Sequence, residues 1–317
     1  MTIVVTGSAG HLGEALMRTF RAAGRPALGI DRRPSPHTDR VGSINDRAFV
    51  VESLRSARVV IHTATLHKPH VSTRSDEDFL ITNAAGTLTL LQAAVEARVE
   101  AFVYTSTTSV FGSALTPAAG QPAAWITENV APIPKNIYGA TKQAAELLCE
   151  LYARQHRLPA VVLRTSRFFP EADDDPRVRA AYDVANVQVN ELLYRRVDIE
   201  DVVMAHLLAA EKAPALGFAR YIISATTPFS PDDAPTLRQD AGAAARRLFP
   251  DYEEIYAKRG WRMFLSIDRV YDNRAAVAEL GWRPQYDFRH ALDNLAAGAD
   301  FRSPLAQAIG VKGYHGG

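Results

Sequence analysis

A short apolar run, Ile3-Val4-Val5, feeds directly into Thr6-Gly7-Ser8-Ala9-Gly10-His11-Leu12-Gly13, where a helical pattern begins. Three glycines at intervals of three, set between a strand and a helix, leave few folds open. Gly7 permits a tight turn, Gly10 lets an anionic ligand approach the backbone, and Gly13 lets the helix pack closely on the strand. The first helical amides have no partner within the helix and face whatever is held there. Glycine also punctuates ordinary turns between a strand and a helix, so a plain turn is the competing reading.

The rest of the chain favours the first reading. Leu12, Leu16 and Phe20 recur at helical spacing over residues 12–23, and residues 27–30 form a second apolar run. Helices are expected over 46–56, 79–97 and 140–155, alternating with strands over 59–61, 101–105 and 160–163. Strands alternating with helices imply parallel crossover units, and uniformly apolar strands imply a sheet covered on both faces. The expected fold class is α/β, a Rossmann-type doubly wound parallel sheet over residues 1–165. A smaller α+β substrate lobe over 166–317 should follow, with part of 194–225 returning to the sheet. Helical patterns at 197–210, 272–279 and 288–297 and a strand at 221–224 belong to this half. The acidic run Asp173-Asp174-Asp175, between Pro170 and Pro176, reads as a solvated turn or a helix-start charge.

Composition narrows the function. With 317 residues the chain is long for one core and comfortable for two lobes. Thirty-six basic residues against 35 acidic ones leave a net charge of +1, too little to recruit nucleic acid or an anionic membrane. The single cysteine, Cys149, excludes an intrachain disulfide or a cysteine-rich zinc site. No apolar stretch approaches the ~20 residues of a membrane helix. The opening Thr2-Ile3-Val4-Val5-Thr6 lacks the basic lead of a signal peptide. A cytoplasmic protein with no resident metal is expected.

Asp31 closes the second strand 18 residues after Gly13, where an acid accepts hydrogen bonds from an adenosine ribose. Its charge repels a 2′-phosphate and so favours NAD over NADP. Arg32 and Arg33 would blunt that repulsion if turned inward, which leaves NADP open; two solvated loop arginines are the alternative. Tyr138 and Lys142, four residues apart at a helix start, share one side of it. A free tyrosine titrates near ~10. A neighbouring ammonium and a positive nicotinamide both favour the phenolate. Tyr138 can then take an alcohol proton as hydride leaves, or return it to a carbonyl. A surface tyrosine beside a solvated lysine is the bland alternative. The hydroxyls of Thr105, Ser106, Thr107, Thr108 and Ser109 end the fourth expected strand, and such ends line the ligand crevice of parallel sheets.

With those residues in view, the chain resembles the extended short-chain dehydrogenases/reductases of the NAD-dependent epimerase/dehydratase type. Segments 6–13, 62–66, 106–112 and 138–142, with Asp31 and Asn83, carry the likeness; 195–202 and Leu280-Gly281-Trp282-Arg283-Pro284 extend it more weakly. The resemblance implies that Thr107 steadies the reacting oxygen, although a purely structural hydroxyl is the alternative. It implies cofactor contacts from Gly7, Ser8, Ala9, Gly10, His11, Leu12 and Gly13, then from Asp31, Arg32, Ser43 and Ile44. Thr63, Ala64, Thr65, Asn83, Thr105, Ser106, Tyr138, Lys142 and Thr165 should complete that set. Asn83, at a helix opening, should hold backbone near Tyr138, or else serve as a plain N-cap.

Family dehydratases carry an Asp-Glu pair directly after the threonine. Here Thr108-Ser109 stands in its place, and hydroxyls of much higher pKa cannot replace carboxylates in proton transfer. Where the family has a substrate-contacting asparagine, this chain has Arg167, whose planar fork suits a carboxylate or phosphate. The alternative is an internal ion pair with an acid such as Asp198 or Asp201. About 25 residues separate Phe169 from Tyr194, a shorter stretch than nucleotide-sugar enzymes carry and similar to that of uronate dehydrogenases. Substrate contacts are therefore expected from Thr107, Thr108, His67 and Arg167. His67, Lys68 and His70 overhang the nicotinamide end, with water-facing loop histidines as the alternative. Leu88, Leu91 and Val95, with Leu147, Leu148 and Leu151, either face the sheet or, as the resemblance implies, contribute two helices to a four-helix dimer contact. Together these readings describe a homodimeric, NAD-dependent oxidoreductase of a small sugar-like, possibly acidic, substrate. A nucleotide-sugar epimerase and a non-catalytic dinucleotide sensor are the alternatives.

Overall fold

A computed structural model describes residues 2–313. The strands are β1 (Thr2–Thr6), β2 (Ala27–Asp31), β3 (Arg40–Val41), β4 (Ala57–His62), β5 (Ala101–Thr107), β6 (Ala124–Ile126), β7 (Ala160–Thr165), β8 (Phe218–Ile223) and β9 (Arg269–Tyr271). Seven of them form one parallel sheet in the order β3-β2-β1-β4-β5-β7-β8, while β6 and β9 pair in parallel beside it. The chain runs outward from β1 in one direction through β2 and β3, then returns to lay down β4 on the other side. That reversal opens a crevice at the carboxyl ends of β1 and β4, where doubly wound sheets bind ligands.

Alternation within β1 explains the two layers. Ile3 and Val5 enter one core with Leu12, Leu16 and Phe20 of α1 (His11–Ala22), and Val4 enters the opposite one. Successive strand side chains point to opposite faces, so helices must cover both. The helices that follow α1 are α2 (Arg47–Leu54), α3 (Asp76–Phe79), α4 (Gly86–Glu96), α5 (Ile137–His156), α6 (Pro176–Ala181), α7 (Val184–Leu192) and α8 (Ile199–Leu216). Val202, Ala205 and Ala209 of α8 join the α1 side, and Leu90, Leu91 and Cys149 of α4 and α5 pack on the other. Every residue of β7 is buried, as a strand covered on both faces requires.

The second lobe holds α9 (Ala234–Gln239), α10 (Ala241–Leu248), α11 (Tyr252–Ala257) and α12 (Phe288–Ala296). Leu192, Leu237, Tyr256, Phe288 and Leu292 belong to its separate core. Trp282 departs from that lobe: it is fully buried in the α1-side core and donates through Nε1 to the Asp201 carbonyl at 2.9 Å. The Asp201 carboxylate accepts the Gln285 and Tyr286 amides at 2.8 and 3.0 Å, tying the Gly-Trp-Arg-Pro turn to α8.

The expected helix over 79–97 is interrupted. Between α3 and α4 the backbone widens into a π-turn over Leu80–Ala85, so Asn83 sits mid-turn instead of opening a helix. Such widening re-aims a side chain, and here it buries Asn83. The pattern at 272–279 resolves into another π-turn, Ala276–Leu280. The strand expected at 221–224 is β8, which carries the chain back to the edge of the main sheet. Among the described residues no helix is long and apolar enough to cross a membrane.

Candidate active site

The glycine loop is fixed by close contact. Gly7 lies at φ +75°, and a Cβ there would stand 2.7 Å from the Ala64 nitrogen. A Cβ on Gly13 would fall 2.0 Å from the Gly7 carbonyl oxygen. Gly10 caps α1 without any side-chain hydrogen bond, so the first amides of the helix are left to the crevice. Asp31 accepts the Ala9 amide at 3.0 Å on one oxygen and the Arg33 amide at 2.9 Å on the other. Each carboxylate oxygen keeps a lone pair for a further donor. Arg32 and Arg33 are exposed at the same end.

From there a cleft of about 690 Å³ runs past Ile44, Thr63 and Thr65 to Thr107, Tyr138 and Lys142. Other expected contacts are engaged elsewhere. The Ser8 hydroxyl bonds Thr38 at 2.9 Å, and Ser43 Oγ accepts the Asn45 amide at 3.2 Å. Asn83 acts from behind the wall. Its Oδ1 accepts the Leu66 amide at 2.8 Å and the Thr65 hydroxyl at 2.9 Å; its Nδ2 donates to the Leu66 carbonyl at 2.9 Å and Thr141 Oγ1 at 3.2 Å. The amide therefore clamps the loop after β4 to α5, one residue from Lys142.

At the reacting end, Asn136 caps α5 by accepting the Gly139 amide at 3.0 Å, which sets Tyr138 in the first turn. The Tyr138 phenol and Thr107 both line the cleft, and the Thr107 hydroxyl accepts the Ser109 amide at 3.1 Å. Burial pushes the phenol up to about 12, against a lowering effect of the Thr107 hydroxyl. Lys142 Nζ donates to the Thr105 carbonyl at 2.6 Å and stands over the Tyr104 ring at 4.2 Å. Burial pushes this amine down to about 7, opposed by the charge of Glu146. The expectation that the ammonium acidifies the phenol needs correction: both groups lie in one dry wall, and desolvation disfavours the charged form of each.

The strand-end hydroxyls serve architecture. Ser106 donates to the buried Glu146 carboxylate at 2.5 Å, and Arg164 grips the same carboxylate at 2.7 Å. Thr165 donates to the Ser106 carbonyl at 3.0 Å, while Thr105 bonds His206 Nε2 at 2.8 Å. Glu146, Arg164 and His206 were not singled out from the sequence. Glu146 had one signal, its place four residues past Lys142 beside the apolar Leu147 and Leu148.

Arg167 borders the cleft but is already paired. It meets Asp173 at 2.8 Å and donates to the Ala172 and Glu171 carbonyls at 2.7 and 3.3 Å. The internal ion pair is thus the correct reading, with Asp173 in place of Asp198 or Asp201. Asp173 is not a solvated turn residue, since its side chain is only 10% exposed. Asp198 instead caps α8 and holds Ser303. His67 stacks on His70 at 4.9 Å and meets Phe169 edge-on at 5.7 Å. Burial first, then nearby positive charge, pushes His67 down to about 3, so it is neutral at pH 7. Lys68 reaches across to Asp174 at 2.8 Å. His11 pairs with Glu171 at 3.1 Å, and Lys312 Nζ donates to the Ala9 carbonyl at 3.0 Å, so the later part of the chain braces the glycine loop. Among the described residues, no group of three or more His, Cys, Asp or Glu side chains could hold a metal ion.

Sheet topology, loop and the facing tyrosine and lysine together are those of a short-chain dehydrogenase/reductase. Comparison with known proteins makes the assignment narrower. The chain belongs to the NAD dependent epimerase/dehydratase family, which it matches over residues 3–220. It is 25% identical to the UDP-glucose 4-epimerase of Azospirillum brasilense in an alignment covering 99% of this chain and 96% of that protein. Similarity to the low-salt glycan biosynthesis protein Agl12 of Haloferax volcanii is 31% identity over 53% of this chain and 57% of that protein. The fold is shared with a short-chain dehydrogenase/reductase superfamily protein from Agrobacterium tumefaciens, solved with bound NAD. That match has a TM-score of 0.67 at 23% identity and covers 94% of this chain and 96% of that one.

The chain is therefore an enzyme of an NAD-dependent family, and the cradle fits the dinucleotide. Gly7 and Gly13 occupy places that a Cβ would block, the uncapped start of α1 suits a diphosphate, and Asp31 retains acceptor capacity.

Proposed function

We propose that this enzyme transfers hydride at a secondary alcohol or carbonyl of a small, sugar-like substrate. The observation that carries the reading is that Thr107, Tyr138 and Lys142 line the same cleft as the glycine loop. Thr107 orients the reacting oxygen by donating to a carbonyl or accepting from an alcohol. Tyr138 holds the proton that this oxygen gains or loses, a role that contributes roughly 10²–10⁴ in rate. Lys142 fixes the Thr105 carbonyl and so the strand end from which Thr107 projects, and it borders the cofactor cleft. NAD, when bound, supplies the hydride acceptor and a positive ring that favours the phenolate.

Thr108 and Ser109 follow Thr107, so no carboxylate pair stands there for water loss. Between Phe169 and Tyr194 the chain supplies only α6 and α7, and α7 is buried from Asn186 to Leu192. Little backbone remains there to clasp a nucleotide, which supports a compact substrate. A second reading, nucleotide-sugar epimerisation, is favoured by the full-length similarity to a UDP-glucose 4-epimerase. The same side chains would then serve oxidation and re-reduction of one carbon.

A homodimer belongs to the same reading. Leu80, Ile81 and Leu147 are 50%, 53% and 57% exposed along the neighbouring 80–96 and α5 helices, while Leu91 and Cys149 beneath them face the sheet. The deciding experiment incubates the protein with NAD and sugars, aldonates, uronates or UDP-sugars while following absorbance of the reduced cofactor. NADH formed in step with product identifies a dehydrogenase. Sugar interconversion without net absorbance identifies an epimerase. NAD binding with neither outcome refutes both.

A further inference from the structure

Beyond the second lobe the chain returns to the glycine loop. Helix α13 (Pro304–Ile309) is capped by Ser303, which accepts the Ala306 amide at 3.0 Å. The same hydroxyl donates at 2.6 Å to Asp198, the cap of α8. Leu305, Ala306 and Ile309 pack against the α1-side core. Gly310, at φ +61°, ends the helix, and Lys312 then reaches the start of α1.

Lys312 holds that start at three positions. Its Nζ donates to the Ala9 carbonyl at 3.0 Å and bonds the Glu14 carboxylate. Its amide donates at 3.1 Å to Glu171, whose carboxylate also stands 3.1 Å from His11 Nε2. Ala9 precedes the cap Gly10, His11 is the first residue of α1, and Glu14 lies in its first turn. Ala9 is thereby fixed on both sides, since its amide donates to Asp31 at 3.0 Å. The Gly10 amide is spent on the Gly7 carbonyl at 2.9 Å, so the donors left for a diphosphate are the next amides of α1. Their direction follows from how Ala9 and Gly10 are set. A loop with glycine at 7, 10 and 13 has wide backbone freedom, and a ligand that must order such a loop binds more weakly than one that finds it set.

We propose that Lys312 is a positioning residue for the cofactor: it presets the glycine loop from behind, so that seating of the 310–313 segment and binding of NAD strengthen one another. It acts through Ala9, not on the ligand. Cofactor affinity is the quantity it sets, so the effect goes beyond the hydride-transfer reading and is independent of it.

The test is calorimetric titration of the full chain with NAD and with adenosine 5′-diphosphoribose, which lacks the nicotinamide. Glu14 keeps Arg18 at 2.7 Å, so Lys312→Met strands no carboxylate and should fold. Both ligands should bind it about fivefold to thirtyfold more weakly, the cost of fixing one residue's backbone. Lys312→Arg should recover part of the affinity, because a guanidinium keeps a donor for the carbonyl. Lys258→Met, which removes an exposed lysine paired with Glu254 of α11, should bind NAD as wild type does. Coupling is reciprocal, so saturating NAD should also slow hydrogen exchange at the Lys312 amide of wild type by a comparable factor. In Lys312→Met the amide at that position should exchange at one rate with and without NAD. A brace that only stabilises the fold would lower the melting temperature and move neither readout. NAD affinity in folded Lys312→Met within about twofold of wild type, or wild-type exchange at Lys312 that NAD leaves unchanged, overturns the proposal. If Lys312→Met weakens NAD binding while Tyr138→Phe leaves turnover intact, the hydride-transfer reading fails and the role of Lys312 stands.

Discussion

Lys142 Nζ donates to the Thr105 carbonyl at 2.6 Å, so the only basic side chain in the first two turns of α5 is anchored to the last turn-side residues of β5. The bond fixes the reacting strand end, and its burial cost has a pH signature. The amine is pushed down to about 7 from an ordinary 10.5, with burial the leading cause. Between those values the unfolded chain binds a proton that the folded chain does not. Stability due to this group therefore rises as pH climbs through 7 toward 10.5, by at most about 1.4 kcal/mol per pH unit. Below pH 7 both states are charged and the full penalty applies. Urea unfolding of wild type and Lys142→Met from pH 6 to 9.5 should show the variant's relative stability falling as pH rises. A difference independent of pH would contradict the assignment.

Gly13→Ala tests the cradle. The new methyl would meet a backbone oxygen at 2.0 Å, and no rotamer relieves it. Overpacking of this kind costs about 1–3 kcal/mol. The start of α1 must shift, so NAD affinity should fall about tenfold or more. Thermal melting and titration with NAD give both numbers; unchanged affinity would show that the loop does not hold the dinucleotide.

Which parts of this were legible in the sequence follows from how far each signal reaches. Strands β1, β4, β5 and β7 showed because buried parallel strands are continuous apolar runs, and Val59, Val60 and Ile61 are such a run. Strands of two or three residues, β3, β6 and β9, carry no periodicity to read. Tyr138, Lys142 and Thr107 could be placed because helix spacing and strand ends dictate where those side chains point. The pairing of Arg167 could not, because Asp173 reaches it through a loop whose path no local pattern sets. Of the two readings open for Asn83, the structure shows the backbone clamp and not the N-cap, because a π-turn that the helical pattern does not reveal carries it.

Trp282→Ala should expose how the two lobes are joined. The indole is fully buried in the α1-side core and bonded to the Asp201 carbonyl. Removing a buried aromatic costs about 3–5 kcal/mol. Denaturant midpoints should show that loss; a change below about 1 kcal/mol would mean the turn is not a structural anchor.

Leu147→Lys addresses the proposed dimer. Leu147 is 57% exposed and lies outside the cleft. A charge in a two-helix apolar contact should shift sedimentation from dimer to monomer at micromolar protein while leaving the wild-type fold intact. A wild-type chain that sediments as a monomer would contradict the reading.

The most direct measurement compares Tyr138→Phe with wild type in reduced-cofactor absorbance and in NAD titration. The phenol is buried against Thr107, so its removal deletes one oxygen and little packing. Turnover should drop by about 10²–10⁴ with NAD affinity within about twofold. Turnover within tenfold of wild type would contradict the central claim that Tyr138 carries the proton.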